Sequence, residues 1–247
     1  MKIHLRNPEG FFPETITYYK TFAELVPEED SDIIVINDFQ PIETKKVVAC
    51  NSTGLDHIKA KKIISLRGED LSDYTAVAEL CLGMMIMVTR LFKKEEIRGK
   101  TLGLLGSKGR IASQFRGMAE YMGMNVRGYD KEDSNQTLKG LLKESDVVSL
   151  HITADNENKN FMDEKLFKFM QDGAIFLNST RPWLVDEKDF LWALDNKLAA
   201  AWVDFEMPFK HKRLVTTPHA GGTTVESRRK TEMILAKKVD EYLKINQ

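Results

Sequence analysis

Short runs of β-branched and aliphatic residues alternate along the chain with segments whose apolar positions recur every three or four residues. The runs predict strands, the recurring positions predict amphipathic helices, and their alternation predicts a largely parallel sheet with helices on its faces. In the first part, strands are expected at Ile3–Leu5, Ile33–Ile36, Val47–Ala49 and Ile63–Ser65. A long helix is expected from about Ser72 to Phe92, with Val77, Leu80, Cys81, Met84, Val88 and Leu91 on one stripe. Positions 80–88 are apolar nearly all round, which predicts burial between two layers.

After the charged break Lys93–Lys100 the alternation becomes regular. Strands are expected at Thr101–Leu105, Asn125–Tyr129, Asp146–Ile152, Ala174–Asn178, Ala199–Phe205 and Leu214–Thr216. Helices are expected at Gly109–Gly123, near Gln136–Lys143, near Asp163–Met170, at Asp186–Leu194 and at about Thr224–Lys244. From residue 101 onward the fold class is α/β, a doubly wound parallel sheet, and the segment before Ser72 reads as a second, smaller α/β unit.

Composition narrows the functional classes. Lys+Arg number 36 against 37 Asp+Glu, a net charge of −1, so there is no electrostatic footprint for nucleic acid or for an anionic membrane. Leu80–Val88, the most apolar stretch, falls far short of the ~20 residues of a spanning helix. The start, MKIHLRNPEGFF, lacks the apolar run of a signal peptide. Two cysteines, Cys50 and Cys81, supply neither a disulfide framework nor a four-thiolate metal site, so the cytoplasm is the expected compartment and no metal is expected.

The most specific chemistry sits at a predicted strand-to-helix turn, Gly106-Ser107-Lys108-Gly109-Arg110-Ile111-Ala112. Glycines there permit a tight path and close approach of a pyrophosphate, and the helix start offers free N–H groups at its positive end. Asp130 ends the next strand, where a carboxylate accepts from adenosine ribose hydroxyls and favours NAD over NADP. The spacing is G-x-x-G-x-x-A, one residue longer between its first two glycines than the usual G-x-G-x-x-G/A. Lys108 offers a phosphate contact or is merely solvated, and Lys131 leaves some room for a 2′-phosphate. A glycine helix-start turn of any α/β protein is the bland alternative.

Several further segments resemble the D-isomer-specific 2-hydroxyacid dehydrogenase family. They are Asn51-Ser52-Thr53-Gly54-Leu55-Asp56-His57-Ile58, Thr75-Ala76-Val77-Ala78-Glu79-Leu80, Arg98-Gly99-Lys100-Thr101-Leu102-Gly103 and Ser145-Asp146-Val147-Val148-Ser149-Leu150-His151. Gly173 to Arg181, Leu184-Val185-Asp186 and Thr216-Thr217-Pro218-His219-Ala220-Gly221-Gly222-Thr223 continue the match. The blocks occur in the family's order from about Val47 to the C-terminus, whereas the first 45 residues match loosely and look abbreviated. The resemblance implies a Rossmann NAD-binding domain over 73–224. It implies a second, smaller flavodoxin-like α/β domain from 1–72 plus 225–247, with the last helix packing back on the first segment. A homodimer joined through the nucleotide domain is also implied, although Leu91–Gly99 is short for the usual dimer arm.

By the same resemblance, NAD is the cofactor and a small anionic 2-hydroxy/2-keto acid the substrate. Gly106, Gly109, Arg110, Ile111, Asp130, His151, Thr180 and Asp204 would bind the cofactor, Asp204 facing the nicotinamide carboxamide. Ser52, Thr53, Gly54 and Arg181 would bind the substrate carboxylate, with Arg181, Glu206 and His219 catalytic. The chemistry asks for these types. Moving a hydride off a 2-hydroxy acid needs a base for the hydroxyl proton, and the imidazole pKa of about 6.5 suits it. A planar guanidinium holds a carboxylate better than an ammonium does, and a carboxylate beside the imidazole raises its pKa.

Of five histidines, His4, His57, His151, His211 and His219, only the last has the Pro-His-x-Gly-Gly setting. Glu206 is the less regular match, because Asp204-Phe205-Glu206-Met207-Pro208 is shortened and Met207 takes the place before proline. Pro182 replaces the family's glycine after the arginine. Cys50 reads as a buried small residue, Met84, Met85 and Met87 as helix packing, and Arg67 as a solvated loop residue or a partner for a second acidic group. Two functions compete: an NAD-dependent dehydrogenase, and a non-catalytic NAD(H)-binding module that senses redox state or binds a partner on the same scaffold.

Overall fold

The structure is a computed structural model that describes residues 1–132 and 137–246. Gln136, where one expected helix begins, lies outside the described residues. The chain divides into two compact units, one made of Met1–Leu71 with Thr224–Gln247 and the other of Ser72–Thr223.

In the first unit the strands are β1 (Lys2–Leu5), β2 (Glu24–Leu25), β3 (Ile33–Ile36), β4 (Ile42–Glu43), β5 (Val47–Cys50), β6 (Ile58–Lys59) and β7 (Lys62–Ser65). Helix α1 covers Pro13–Tyr19. Five strands form a parallel sheet in the order β2-β1-β3-β5-β7. Taken in sequence this is the 2-1-3-4-5 order of flavodoxin-like sheets. No helix stands between β3 and β5 or between β5 and β7. A two-stranded parallel ladder, β4 with β6, covers that face instead, and Ile58 packs with Ile34, Ile36, Val48 and Cys50. The unit thus has the flavodoxin-like strand order with loops and short strands, not helices, joining β3, β5 and β7.

The second unit contains α2 (Ala76–Val88), β8 (Thr101–Leu105), α3 (Arg110–Tyr121), β9 (Asn125–Tyr129), α4 (Leu138–Glu144), β10 (Val147–Leu150), α5 (Glu164–Phe169), β11 (Ala174–Asn178), α6 (Glu187–Asn196), β12 (Leu198–Val203) and β13 (Leu214–Thr216). All six strands are parallel, in the order β13-β12-β11-β10-β8-β9. The order reverses at β8 and β10, which makes the crevice beyond their C-terminal ends the expected ligand position. Alternate residues feed two cores. Val147, Ile175, Leu177, Ala200 and Trp202 pack with α2 and α3, while Val148, Leu150, Phe176, Ala201 and Val203 pack with α4, α5 and α6. Helix starts are capped by side chains: Thr137 to Gly140 N, Asp163 to Leu166 N and Asp186 to Lys188 N and Asp189 N. Each cap is worth ~1 kcal/mol.

Two expectations need correction. The long helix starts at Ala76 rather than Ser72, because the Ser72 and Tyr74 carbonyls accept from Gln114 and Arg110. It then continues as a π-helical turn, Thr89–Lys93, stopped by Lys94 at φ 56°. Nor is α2 buried all round: Ala78, Cys81, Met84, Met85 and Val88 are buried, whereas Leu80, Leu82, Ile86 and Met87 are partly exposed.

Helix α7 (Val225–Ile245) belongs to the first unit and packs on α1, β5 and β7. Thr224 caps it through Ser227 N. Its Glu232 is fully buried and accepts from Phe12 N at the start of α1 (3.0 Å) and from Arg228 (3.1 Å). Burial pushes this carboxyl above its ordinary value, against the lowering influence of those two donors. A raised folded pKa means that the folded unit holds the proton more tightly than the unfolded chain. The stability it contributes is complete below the unfolded value, about 4.3, and is lost as pH rises through the folded value. Glu232→Gln keeps the shape and an acceptor for Phe12. In thermal melts the variant should gain on the wild type as pH rises above about 4.3, with the two converging in acid. A difference that stays constant with pH contradicts the assignment.

Candidate active site

Everything expected to act in the second unit lies at the C-terminal edge of its sheet. The turn after β8 comes first. Gly106 stands at φ +82°, and a Cβ there would lie 2.8 Å from the carbonyl carbon and oxygen of His151. Only glycine fits. Gly109 occupies the cap of α3 and brings no side chain, so the first-turn N–H groups at Arg110 and Ile111 have no side-chain acceptor from the cap residue. The Arg110 guanidinium turns away to donate to Tyr74 O at 2.7 Å, which leaves its backbone rather than its side chain at the turn. Asp130 follows β9 and is half-buried. A glycine cradle, an uncapped twelve-residue helix and a carboxylate on the neighbouring strand fit a dinucleotide. The described residues hold no cluster of His, Cys, Asp and Glu placed to bind a metal ion.

His151, expected at the cofactor, sits beneath this turn. Its Nε2 lies 2.9 Å from Ser149 Oγ, its ring meets Phe115 edge-on, and burial lowers its pKa to about 4. The ring is therefore neutral, and its buried Nδ1 has no partner among the described residues.

Arg181 follows β11. Asn178, fully buried at the end of that strand, organises the approach: its Oδ1 accepts from Thr180 N (2.8 Å) and Thr180 Oγ1 (2.6 Å), and its Nδ2 donates to Arg181 O (3.2 Å). Arg181 Nη1 donates to Thr180 O at 3.0 Å. Pro182 opens a 3-10 turn, Pro182–Leu184, so its rigid φ serves as a turn start. Sequence reasoning missed Asn178. The polar residue ending a wholly apolar strand was the available signal.

The histidine loop follows β13 and is built around Asp204. This carboxylate is 2% exposed; Oδ1 accepts from Thr217 Oγ1 (2.5 Å) and Ala220 N (2.8 Å), and Oδ2 from Gly221 N (2.8 Å). Asp204, expected to face a nicotinamide carboxamide, thus spends both oxygens on the loop's own donors. His219 adopts φ +56°, and its Nδ1 lies 3.2 Å from the Asp204 carbonyl oxygen. A carbonyl only accepts, so this contact puts the proton on Nδ1 and leaves Nε2 with the lone pair. Glu206 is exposed on the loop after β12. The arginine and histidine segments are joined through the sheet, since Asp204 N donates to Asn178 O at 3.0 Å.

In the first unit, the Ser52-Thr53-Gly54 loop follows β5. Gly54 N–H, expected to meet a carboxylate, donates to Ser52 Oγ at 3.1 Å, and Arg67 Nε donates to Thr53 O at 2.9 Å. Burial pushes the Cys50 and Cys81 thiols up to about 12, which makes both inert as nucleophiles at neutral pH. No helix of the described residues is long and apolar enough to cross a membrane.

Comparison with known proteins matches residues 84–221 to the NAD binding domain of D-isomer specific 2-hydroxyacid dehydrogenases. The chain is similar to a D-3-phosphoglycerate dehydrogenase of Methanocaldococcus jannaschii, 29% identical over 266 residues, covering 87% of this chain and 50% of the relative. It is 30% identical over 234 residues to the Escherichia coli enzyme of the same name, covering 79% of this chain and 57% of that one. The chain thus spans about half the length of the curated relatives it matches. Among solved structures, an NAD+-bound 3-phosphoglycerate dehydrogenase of Entamoeba histolytica superposes with a TM-score of 0.83 at 22% identity. That match covers 100% of this chain and 96% of the other.

Proposed function

The chain belongs to the D-isomer specific 2-hydroxyacid dehydrogenase family, and on that footing we propose that it is an NAD-dependent oxidoreductase interconverting a small D-2-hydroxy acid and its 2-keto acid. One observation carries this reading: His219, its Nδ1 on the Asp204 carbonyl, follows β13 and Arg181 follows β11, the two strands that flank β12 in the sheet whose first turn fits a dinucleotide. Bound NAD supplies the nicotinamide carbon that accepts or returns the hydride.

Gly106, Gly109 and the first N–H groups of α3 hold the pyrophosphate, and Asp130 takes the adenosine ribose hydroxyls. The Arg181 guanidinium pairs with the substrate carboxylate and polarises the reacting carbonyl. His219 Nε2 removes the hydroxyl proton in oxidation and returns it in reduction. The Asp204 carbonyl fixes the tautomer, and the buried Asp204 carboxylate holds the loop through Thr217, Ala220 and Gly221. In this reading Glu206 is not needed to orient the ring. The resemblance also supports a homodimer, for which light scattering should read twice the chain mass.

The test is NADH oxidation across a panel of small 2-keto acids, with the product's configuration determined. Turnover with at least one acid, giving the D product, is expected. NADH binding without turnover on the whole panel favours the second reading, a non-catalytic NAD(H)-binding module. That reading draws on Gly54 N–H and both Asp204 oxygens being spent internally.

A further inference from the structure

The extra residue of the glycine turn is where this chain departs from the usual spacing, and the structure shows what the added length does. Ser107 is 9% exposed and wedged against Gly128 of β9, where a Cβ would come within 2.3 Å of Ser107 Oγ. The Ser107 hydroxyl donates to Asp130 Oδ2 at 2.5 Å, and Lys108 N approaches Oδ1 at 3.4 Å. The longer turn therefore reaches across to the end of β9 and grips the acidic residue from its buried side.

An ionised carboxylate accepts only, with about four lone-pair sites over its two oxygens. The Ser107 hydroxyl and Lys108 N use one site on each oxygen and leave about two for a ligand. They also fix a side chain that would otherwise sample several rotamers at a strand end. A group held in its binding orientation beforehand loses less freedom on association.

We propose that Ser107 is a positioning residue for cofactor recognition, which holds Asp130 oriented for the diol of an adenosine ribose and so sharpens the preference for NADH over NADPH. This rests on the reading of Asp130 given under Proposed function. Glycine at 128 is part of the same device, since any side chain there would expel the Ser107 hydroxyl.

The experiment is a double-mutant cycle of Ser107→Ala and Asp130→Asn, read as dissociation constants for NADH and NADPH by fluorescence titration of the full chain. Ser107→Ala should weaken NADH about 3–10-fold while changing NADPH less, a size typical of lost pre-organisation. In the Asp130→Asn background the same substitution should have no further effect on NADH. Thermal melts accompany each variant. Equal loss for both cofactors, or an undiminished loss in the Asp130→Asn background, would overturn the inference. So would Ser107→Ala matching the wild type. Failure of the wild type to bind NADH at all would instead overturn the underlying reading of the site.

Discussion

His219→Asn should abolish most turnover while leaving the nucleotide site intact. General acid–base groups contribute typically 10²–10⁴-fold, so kcat/KM for the best keto acid should fall by about that factor. Asparagine is the preferred replacement because residue 219 sits at φ +56°, a region asparagine tolerates better than alanine. The loop itself should survive, since Asp204 grips it through Thr217, Ala220 and Gly221, none of which is touched. NADH affinity should therefore change little. In the reducing direction the wild-type rate should decline as the imidazolium loses its proton, and this limb should vanish in the variant. A variant that retains wild-type kcat/KM, or one that loses NADH binding in proportion, contradicts the role given to this ring.

The second large effect concerns the turn. Gly106→Ala places a methyl group 2.8 Å from the His151 backbone at a φ of +82°. Backbone strain and overpacking each cost about 1–3 kcal/mol, so chemical denaturation should show a loss of about 2–6 kcal/mol together with loss of NADH binding. Gly109→Ala behaves differently. There φ is −64° and the nearest atom to an added Cβ is Gly106 O at 3.4 Å, ordinary contact. The fold should tolerate it while the methyl group obstructs the pyrophosphate, which separates the cofactor role from the structural one. Gly117→Ala is the control: it lies inside α3 with nothing within 4 Å of its Cβ, and should be neutral or stabilising by about 0.5–1 kcal/mol. Equal stabilities for Gly106→Ala and Gly117→Ala would show that the close approach to His151 has been misread.

The elements legible in the sequence were those whose pattern alone decides them. Ile33–Ile36, Thr101–Leu105, Asn125–Tyr129, Ala174–Asn178 and Leu214–Thr216 are strands with the expected bounds, because runs of this kind belong at the centre or rim of a parallel sheet. Helix α1 was not foreseen, since Pro13-Glu14-Thr15-Ile16-Thr17-Tyr18-Tyr19 carries no 3.6-residue stripe and is held by Phe12 N on Glu232 and by packing on α7. The ladder of β4 and β6 is two residues long and forms only because the rest of its unit brings the strands side by side.

Arg181 and His219 were legible as types in a setting. Their supports were not. Asn178, Asp204 as loop anchor, and Ser107 beneath Asp130 act through hydrogen bonds between residues 13 to 23 positions apart, or through the chain's return at a strand end. Such distances leave no period in the sequence. The contact at Nδ1 was not legible for the same reason: it is made by the backbone carbonyl of Asp204, 15 positions away, while Glu206 is exposed on the loop after β12.

Isotope transfer tests for direct hydride transfer at this site. NADH deuterated at the reactive C4 position, incubated with the full chain and a 2-keto acid, should give a D-2-hydroxy acid carrying deuterium at C2, with none formed by His219→Asn on the same timescale. NADH bound with normal affinity but no deuterated product from any small 2-keto acid, or product labelled equally by both proteins, would contradict it.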